Sequence, residues 1–242
     1  LPDMLFAAVR LSPMIGGSAA SLDTKAALAL PGVQQVVALD ALHGASAGFA
    51  VVAKTTWHAR QGAQAVTVQW QQRAQGALDT QQIAAALQSQ LDKESGFTFF
   101  EQGDIAAAEK SGSKVIEASY TAPYLAHATM EPMNCTVWLK DGAAEVWAPT
   151  QIPDAARHVI AKILEIPKDK LTLHVPLLGC GLGRRLELDF IAQAAQIAKA
   201  CAGHPVQTVW DRSQDMQHDF YRPACVSRYS AGLDDQGQVL AW

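Results

Sequence analysis

The chain has 242 residues, 49% hydrophobic and 17% charged side chains, and a formal net charge of −4; it is long enough to bury one or two cores and lacks the basic excess that nucleic-acid binding needs. Its lysines and arginines are scattered, and no run of about eighteen apolar residues is available to span a bilayer. Cys135, Cys180, Cys201 and Cys225 stand too far apart for a CxxC pair, which argues against a zinc or iron–sulfur site built from this chain alone.

Residues 1–70 read as a small α/β segment. MLFAAVR is predicted as a strand, SLDTKAALALPG as a short helix capped by Ser21 and closed before Pro31, and VQQVVAL as a strand. FAVVAK adds a strand, TTWHARQGAQAV a helix and VTVQW a last strand. Residues 71–112 are rich in Gln and Ala and read as a connector, with a solvated helix from Asp79 to Leu91.

A second segment, 113–242, starts with the strand KVIEASYTA. NCTVWLK, the turn Asp141-Gly142 and AAEVWAP form a hairpin. IPDAARHVIAKILEIP has apolar residues at helical spacing, Pro153 in its first turn and a stop at Pro167. The strand KLTLHVPL then runs into Gly179, Gly181 and Gly183, alternating with Cys180 and Leu182 and followed by Arg184 and Arg185. A helix is expected from Leu186 to Cys201, and PVQTVWD returns as a strand. ACVSRYSAGL, DDQG and QVLAW read as strand, turn and a second strand that Trp242 cuts short; with the missing initiator Met, the expectation is a piece of a longer polypeptide.

Alternating glycines between a strand and a helix allow backbone N–H groups to approach an anion. A dinucleotide-binding GxGxxG is interrupted by Arg184 at the third glycine's place, although Asp211, at the end of the next strand, stands where a ribose-binding acid would. A tight turn followed by two surface arginines explains the same pattern.

Longer blocks carry a resemblance. YTAPYLAHATMEPMNCTVW, VWAPTQ, PLLGCGLGRRLELDFIAQAAQIA and VWDRSQDMQHDFYRPA, in that order, resemble the large molybdenum-binding subunit of the xanthine dehydrogenase and aldehyde oxidase family, isoquinoline 1-oxidoreductase beta-subunit branch. Residues 1–70 resemble that family's α/β-hammerhead domain. The implied fold class is α/β (α+β): a hammerhead domain, a connector, and the first part of a molybdopterin-binding domain.

The resemblance assigns the cofactor-binding role to Gln151 in APTQ, the loop Gly179, Cys180, Gly181, Leu182 and Gly183, and Arg184 and Arg185. Cys180 and Leu182 depart from the family's usual Gly and Phe, and Cys180 is costly if its φ must be positive. The two arginines either meet the pyrophosphate of molybdopterin cytosine dinucleotide or pair with Glu187, Asp189 or Asp211. The family's catalytic Glu falls beyond residue 242, so no catalytic residue is assigned and the isolated chain is expected to be inactive. Glu131 is expected to be structural, and His127 and His218 to be hydrogen-bonded packing residues. The implied reaction is hydroxylation of an N-heterocycle or aldehyde with water as the oxygen source. The implied partners are an electron-transfer subunit with two 2Fe–2S clusters and a c-type cytochrome, and the branch points to the periplasm. An assembly scaffold without cofactor and an NAD-binding dehydrogenase are the competing readings.

Overall fold

The computed structural model describes residues 1–74, 79–93 and 96–242. Parts of the expected connector, residues 75–78 and 94–95, lie outside this set. The elements begin with β1 (Leu5–Leu11), β2 (Ser18–Asp23), α1 (Lys25–Leu28), β3 (Val33–Leu39), β4 (Gly48–Ala53), α2 (Thr56–Ala65) and β5 (Thr67–Gln71). Next come α3 (Thr80–Leu91), α4 (Ile105–Ser111), β6 (Lys114–Ala122), β7 (Asn134–Lys140), β8 (Ala143–Trp147) and α5 (Pro153–Leu164). The remainder is β9 (Leu171–His174), α6 (Asp189–Ala200), β10 (Pro205–Val209), α7 (Arg212–Gln217), β11 (Cys225–Leu233) and β12 (Val239–Ala241). The class is mixed α/β, as expected.

The chain forms two compact units, Leu1–Ala77 with Ala126–Phe220, and Leu78–Leu125 with Tyr221–Trp242. The divisions expected at 70/71 and 112/113 do not coincide with these units.

The first unit is built on a seven-stranded sheet in the order β3-β4-β1-β10-β7-β8-β9. Strand β1 pairs in parallel with β10, Leu5 opposite Val206, so the N-terminal segment and the later one share a single sheet. LFAAVRL and GFAVVA read as almost unbroken apolar runs because both faces of these strands are covered. On one side Leu5, Ala7, Val9, Ala50 and Val52 join Phe190, Ile191 and Ile197 of α6 and Ile160 of α5. On the other, Phe49, Val51 and Ala53 pack with Ala59 and Ala63 of α2. Burying Phe49, Phe190 or Ile191 fully contributes about 1.5–3 kcal/mol each relative to exposure.

Three local differences from the sequence reading have physical causes. Ser21 does not cap a helix: it lies in β2, paired with β5, and α1 starts at Lys25 after Thr24, which makes no side-chain cap. Thr55 and Asp79 do cap their helices, accepting from the backbone N–H of His58 and Gln82. The helix expected from Leu186 instead begins at Asp189, because Arg184–Leu186 forms a 3₁₀ turn and Glu187 is extended, with φ −82° and ψ 144°.

The second unit pairs β11 with β12 on one side and β6 on the other. Helix α3 matches the expected 79–91 span and buries none of its residues, while α4, capped by Asp104, was not anticipated within the connector. Among the described residues no helix is long and apolar enough to cross a membrane, and all four cysteines are free thiols.

Candidate functional site

The glycine loop and the APTQ segment meet because β8 and β9 lie side by side in parallel, with Ala144 opposite Leu171 and Trp147 opposite His174. α5 provides the crossover between them, so both strands release their C-terminal ends on one edge of the sheet. Ala148 N–H donates to the His174 carbonyl at 3.1 Å and extends the pairing to the rim.

Gln151 is fastened to the loop from both ends. Its backbone N–H donates to the Arg185 carbonyl at 3.0 Å, and its side-chain oxygen accepts from Gly183 N–H at 3.2 Å. That bond uses the amide oxygen, which leaves Nε2 as a donor without an acceptor among the described residues. A Cβ at Gly181 would lie 2.6 Å from Gln151 Oε1, so any larger residue would push that amide aside.

Glu131 clasps the start of the loop. Its backbone N–H donates to the Gly179 carbonyl at 3.0 Å, and Gly179 N–H donates to Glu131 Oε2 at 2.8 Å. A Cβ on Gly179 would strike Glu131 Cβ at 2.3 Å. The same carboxylate accepts from Arg185 at 3.0 Å and from Asn134 Nδ2 at 2.8 Å. The Glu131 carboxylate thus ties the loop to Asn134 and Arg185.

Arg184 and Arg185 are fully buried, with 0% of either residue exposed. Arg184 makes a two-pronged pair with Asp189, at 2.9 and 2.7 Å, and stacks its guanidinium 5.5 Å above the rings of Trp210 and Phe220. Its Nε lies 2.8 Å from Asp219 Oδ1 without the alignment of a hydrogen bond. Burial works against its charge, but Asp189, Asp219 and Asp215 outweigh that, and its proton affinity rises. Arg185 spends its donors on the carbonyls of Cys180, Pro149 and Glu131 at 3.1, 3.2 and 2.8 Å, besides the Glu131 carboxylate. For Arg185 burial wins over Glu131 and its proton affinity falls.

The loop backbone is unusual. Cys180 and Leu182 adopt φ of 83° and 54°, Gly183 has φ 95°, and Gly181 stays outside the left-handed region. Such alternation turns successive N–H groups toward one side in a nest that suits anions and oxygen ligands. The N–H groups of Cys180, Gly181 and Leu182 have no acceptor among the described residues. Cys180 is exposed, and 67% of Leu182 faces solvent.

Of the partners the sequence offered for the arginines, Asp189 pairs with Arg184, whereas Asp219 and the exact work of His127 were missed. Asp219 accepts from the backbone N–H of His127 and lies 3.0 Å from its Nδ1. His218 is half-buried, and burial pushes its pKa down to about 4. Asp211 caps α7 by accepting from Gln214 N–H at 2.8 Å, and Arg212 pairs with Asp215 while donating to the Thr129 and Met130 carbonyls at 2.6 and 3.0 Å. A dinucleotide fold would put β9 and β10 side by side, whereas β7 and β8 separate them. A cleft of about 510 Å³ lined by Arg10, Trp57, Arg60 and Asp211 includes neither Gln151 nor the loop.

The fold has solved counterparts: the crystal structure of quinoline 2-oxidoreductase from Pseudomonas putida 86 superposes with TM-score 0.71 at 19% identity, covering 99% of this chain and 35% of that one. Aldehyde oxidoreductase from Desulfovibrio gigas gives 0.69 at 16% identity, covering 99% and 30%. The chain belongs to the molybdopterin cofactor-binding domain family, which matches residues 87–242. The beta subunit of isoquinoline 1-oxidoreductase from Brevundimonas diminuta is 30% identical over 256 residues, covering 99% of this chain and 31% of that protein. Xanthine dehydrogenase 2 of Arabidopsis thaliana is 30% identical over 145 residues, covering 58% and 11%. The chain therefore spans about a third of the length of the isoquinoline 1-oxidoreductase and quinoline 2-oxidoreductase chains it matches.

Proposed function

We propose that the loop 179–183 and Gln151 are the part of a molybdenum hydroxylase that holds the cofactor, in its molybdopterin cytosine dinucleotide form. The observation that carries this reading is the donor set: three consecutive N–H groups without an acceptor among the described residues, beside Nε2 of Gln151. Donors clustered in this way suit an oxygen-rich group. When bound, that cofactor would accept two electrons from an electron-poor carbon of an N-heterocycle or aldehyde, with water supplying the oxygen.

The chain's own residues then divide the work. Gly181 and Gly179 let Gln151 and Glu131 approach, and those two pin the loop at both ends. Arg184 and Arg185, rather than reaching a pyrophosphate, hold the loop's base, since their guanidinium groups are buried against acceptors of this chain. The base that activates the reacting oxygen belongs to a region outside residues 1–242 in this reading, and so do the contacts with an iron–sulfur subunit and a c-type cytochrome.

Titration of the nitrogen-15-labelled chain with a reduced pterin or molybdate is expected to move the amide signals of Cys180, Gly181, Leu182 and the Gln151 side chain together, at millimolar ligand. Signals that stay fixed while others move would remove the cofactor role and favour an assembly scaffold. Purified from a cofactor-producing host, the chain is expected to hold no stoichiometric molybdenum and to oxidise neither substrate class.

A further inference from the structure

His127 is held in one orientation beside the loop and points an unused ring nitrogen at it. The Asp219 carboxylate, 2% exposed, lies against Arg184 Nε at 2.8 Å and receives the backbone N–H of His127. A carboxylate only accepts, so the hydrogen between it and His127 Nδ1, 3.0 Å away, sits on Nδ1. In the neutral ring Nε2 is then a lone-pair acceptor. It has no hydrogen-bond partner among the described residues and lies 3.7 Å from where a Cβ of residue 183 would stand. The ring is 23% exposed, enough for a ligand on the loop to reach it.

We infer that His127 is a ligand-binding residue that accepts a ring N–H from the molecule carried by the glycine loop, and that the matching ligand edge is a lactam. The inference rests on the reading of the loop given above. A lactam places a carbonyl oxygen beside an N–H, and the site offers the complement: backbone donors at 180–182 for the oxygen and the Nε2 acceptor for the N–H. A charged imidazolium or the opposite tautomer would present a donor to a donor. Asp219 is thus a positioning residue, since it selects the tautomer without touching the ligand. An oxopterin ring and the hydroxylated, lactam form of an N-heterocycle both carry this edge.

The test uses the whole 242-residue chain at pH 8 with two probes, a 4-oxopterin and 2-quinolone, each against its N-methyl lactam derivative. Ring-nitrogen NMR of the free protein is expected to show His127 unprotonated at Nε2. Each probe that binds should shift both the 180–182 amides and Nε2, and N-methylation should weaken binding about tenfold, the equivalent of one good hydrogen bond. Response to the pterin alone assigns the edge to the cofactor, and response to quinolone alone assigns it to the oxidised substrate. His127→Phe, which leaves Arg184 paired with Asp189 and Asp219, should keep the amide response and abolish the discrimination. A proton on Nε2 in the free protein, equal binding of N–H and N-methyl forms, or discrimination that survives His127→Phe overturns the inference and leaves the cofactor reading intact. Loop amides that ignore both probes overturn the two together.

Discussion

Replacing Cys180 by glycine is expected to stabilise the first unit, although it removes a side chain. Cys180 sits at φ 83°, where a Cβ crowds the following carbonyl at a cost of about 1–2 kcal/mol. The thiol is exposed, so its loss forfeits little burial. Glycine gives back about 0.4–1 kcal/mol through a freer unfolded chain. The balance is a gain of roughly 0.8 kcal/mol, the difference between the midpoints of these two ranges. Native-state hydrogen exchange of the α6 amides, which belong to the same unit as the loop, is the suitable assay, and their exchange should slow roughly fourfold for that gain. Cys180→Ala keeps the Cβ and is expected to stay within about 0.5 kcal/mol of the parent. Equal effects of Ala and Gly, or a loss of about 1 kcal/mol with Gly, would refute the strain argument and point to an unrecognised role for the thiol.

Gly179→Ala drives a Cβ into Glu131, which hydrogen bonds from Gly179, Asn134 and Arg185 hold in place, so a loss of about 1–3 kcal/mol is expected in urea unfolding. Arg184→Met leaves Asp189 and Asp219 buried without their cation; it should cost about 3–5 kcal/mol, read from the same curves, and Met that is tolerated within 1 kcal/mol would show the network to be dispensable. His218 has a folded pKa of about 4 against 6.5 when unfolded, so the unfolded chain binds more protons between those values. Stability should be complete above pH 6.5 and fall as pH drops toward 4, by up to roughly 2 kcal/mol once partial exposure is allowed for, and His218→Gln should flatten that part of the profile.

Much of the site was legible because its signals are local. Three alternating glycines, the TQ pair and two arginines announce a tight backbone next to a polar side chain, and the parallel β8–β9 pairing followed from one helix between two strands. Only one partner of the arginines, Asp189, was among those that spacing offered. Asp189 is five positions from Arg184, but Asp219 is brought in by α7, and Glu131 by the turn ahead of β7. The buried state of the Arg184 guanidinium depends on Trp210, just after β10, and Phe220, just after α7, which no window around the loop contains. β2 escaped notice because SAASLD is exposed on most of its residues and has no apolar alternation, so Ser21 looked like a cap. The shared sheet was hidden for a similar reason: apolar runs say that strands are covered on both faces, not which strands they adjoin.

The pairing of Leu5 with Val206 sets an order of events during synthesis. At about 5–20 residues per second, β1 leaves the ribosome roughly 10–40 s before its parallel neighbour β10 is made. Until then β1 can pair only with β4, and the apolar edge it will offer to β10 stays open. Helix α6, whose Phe190 and Ile191 cover the same face, is also late. Long-range parallel pairing of this kind slows folding and leaves a nascent strand exposed to other chains. A ribosome-bound chain halted before residue 205 should therefore be held by a chaperone that binds extended apolar segments, and should be released once β10 and α7 have emerged.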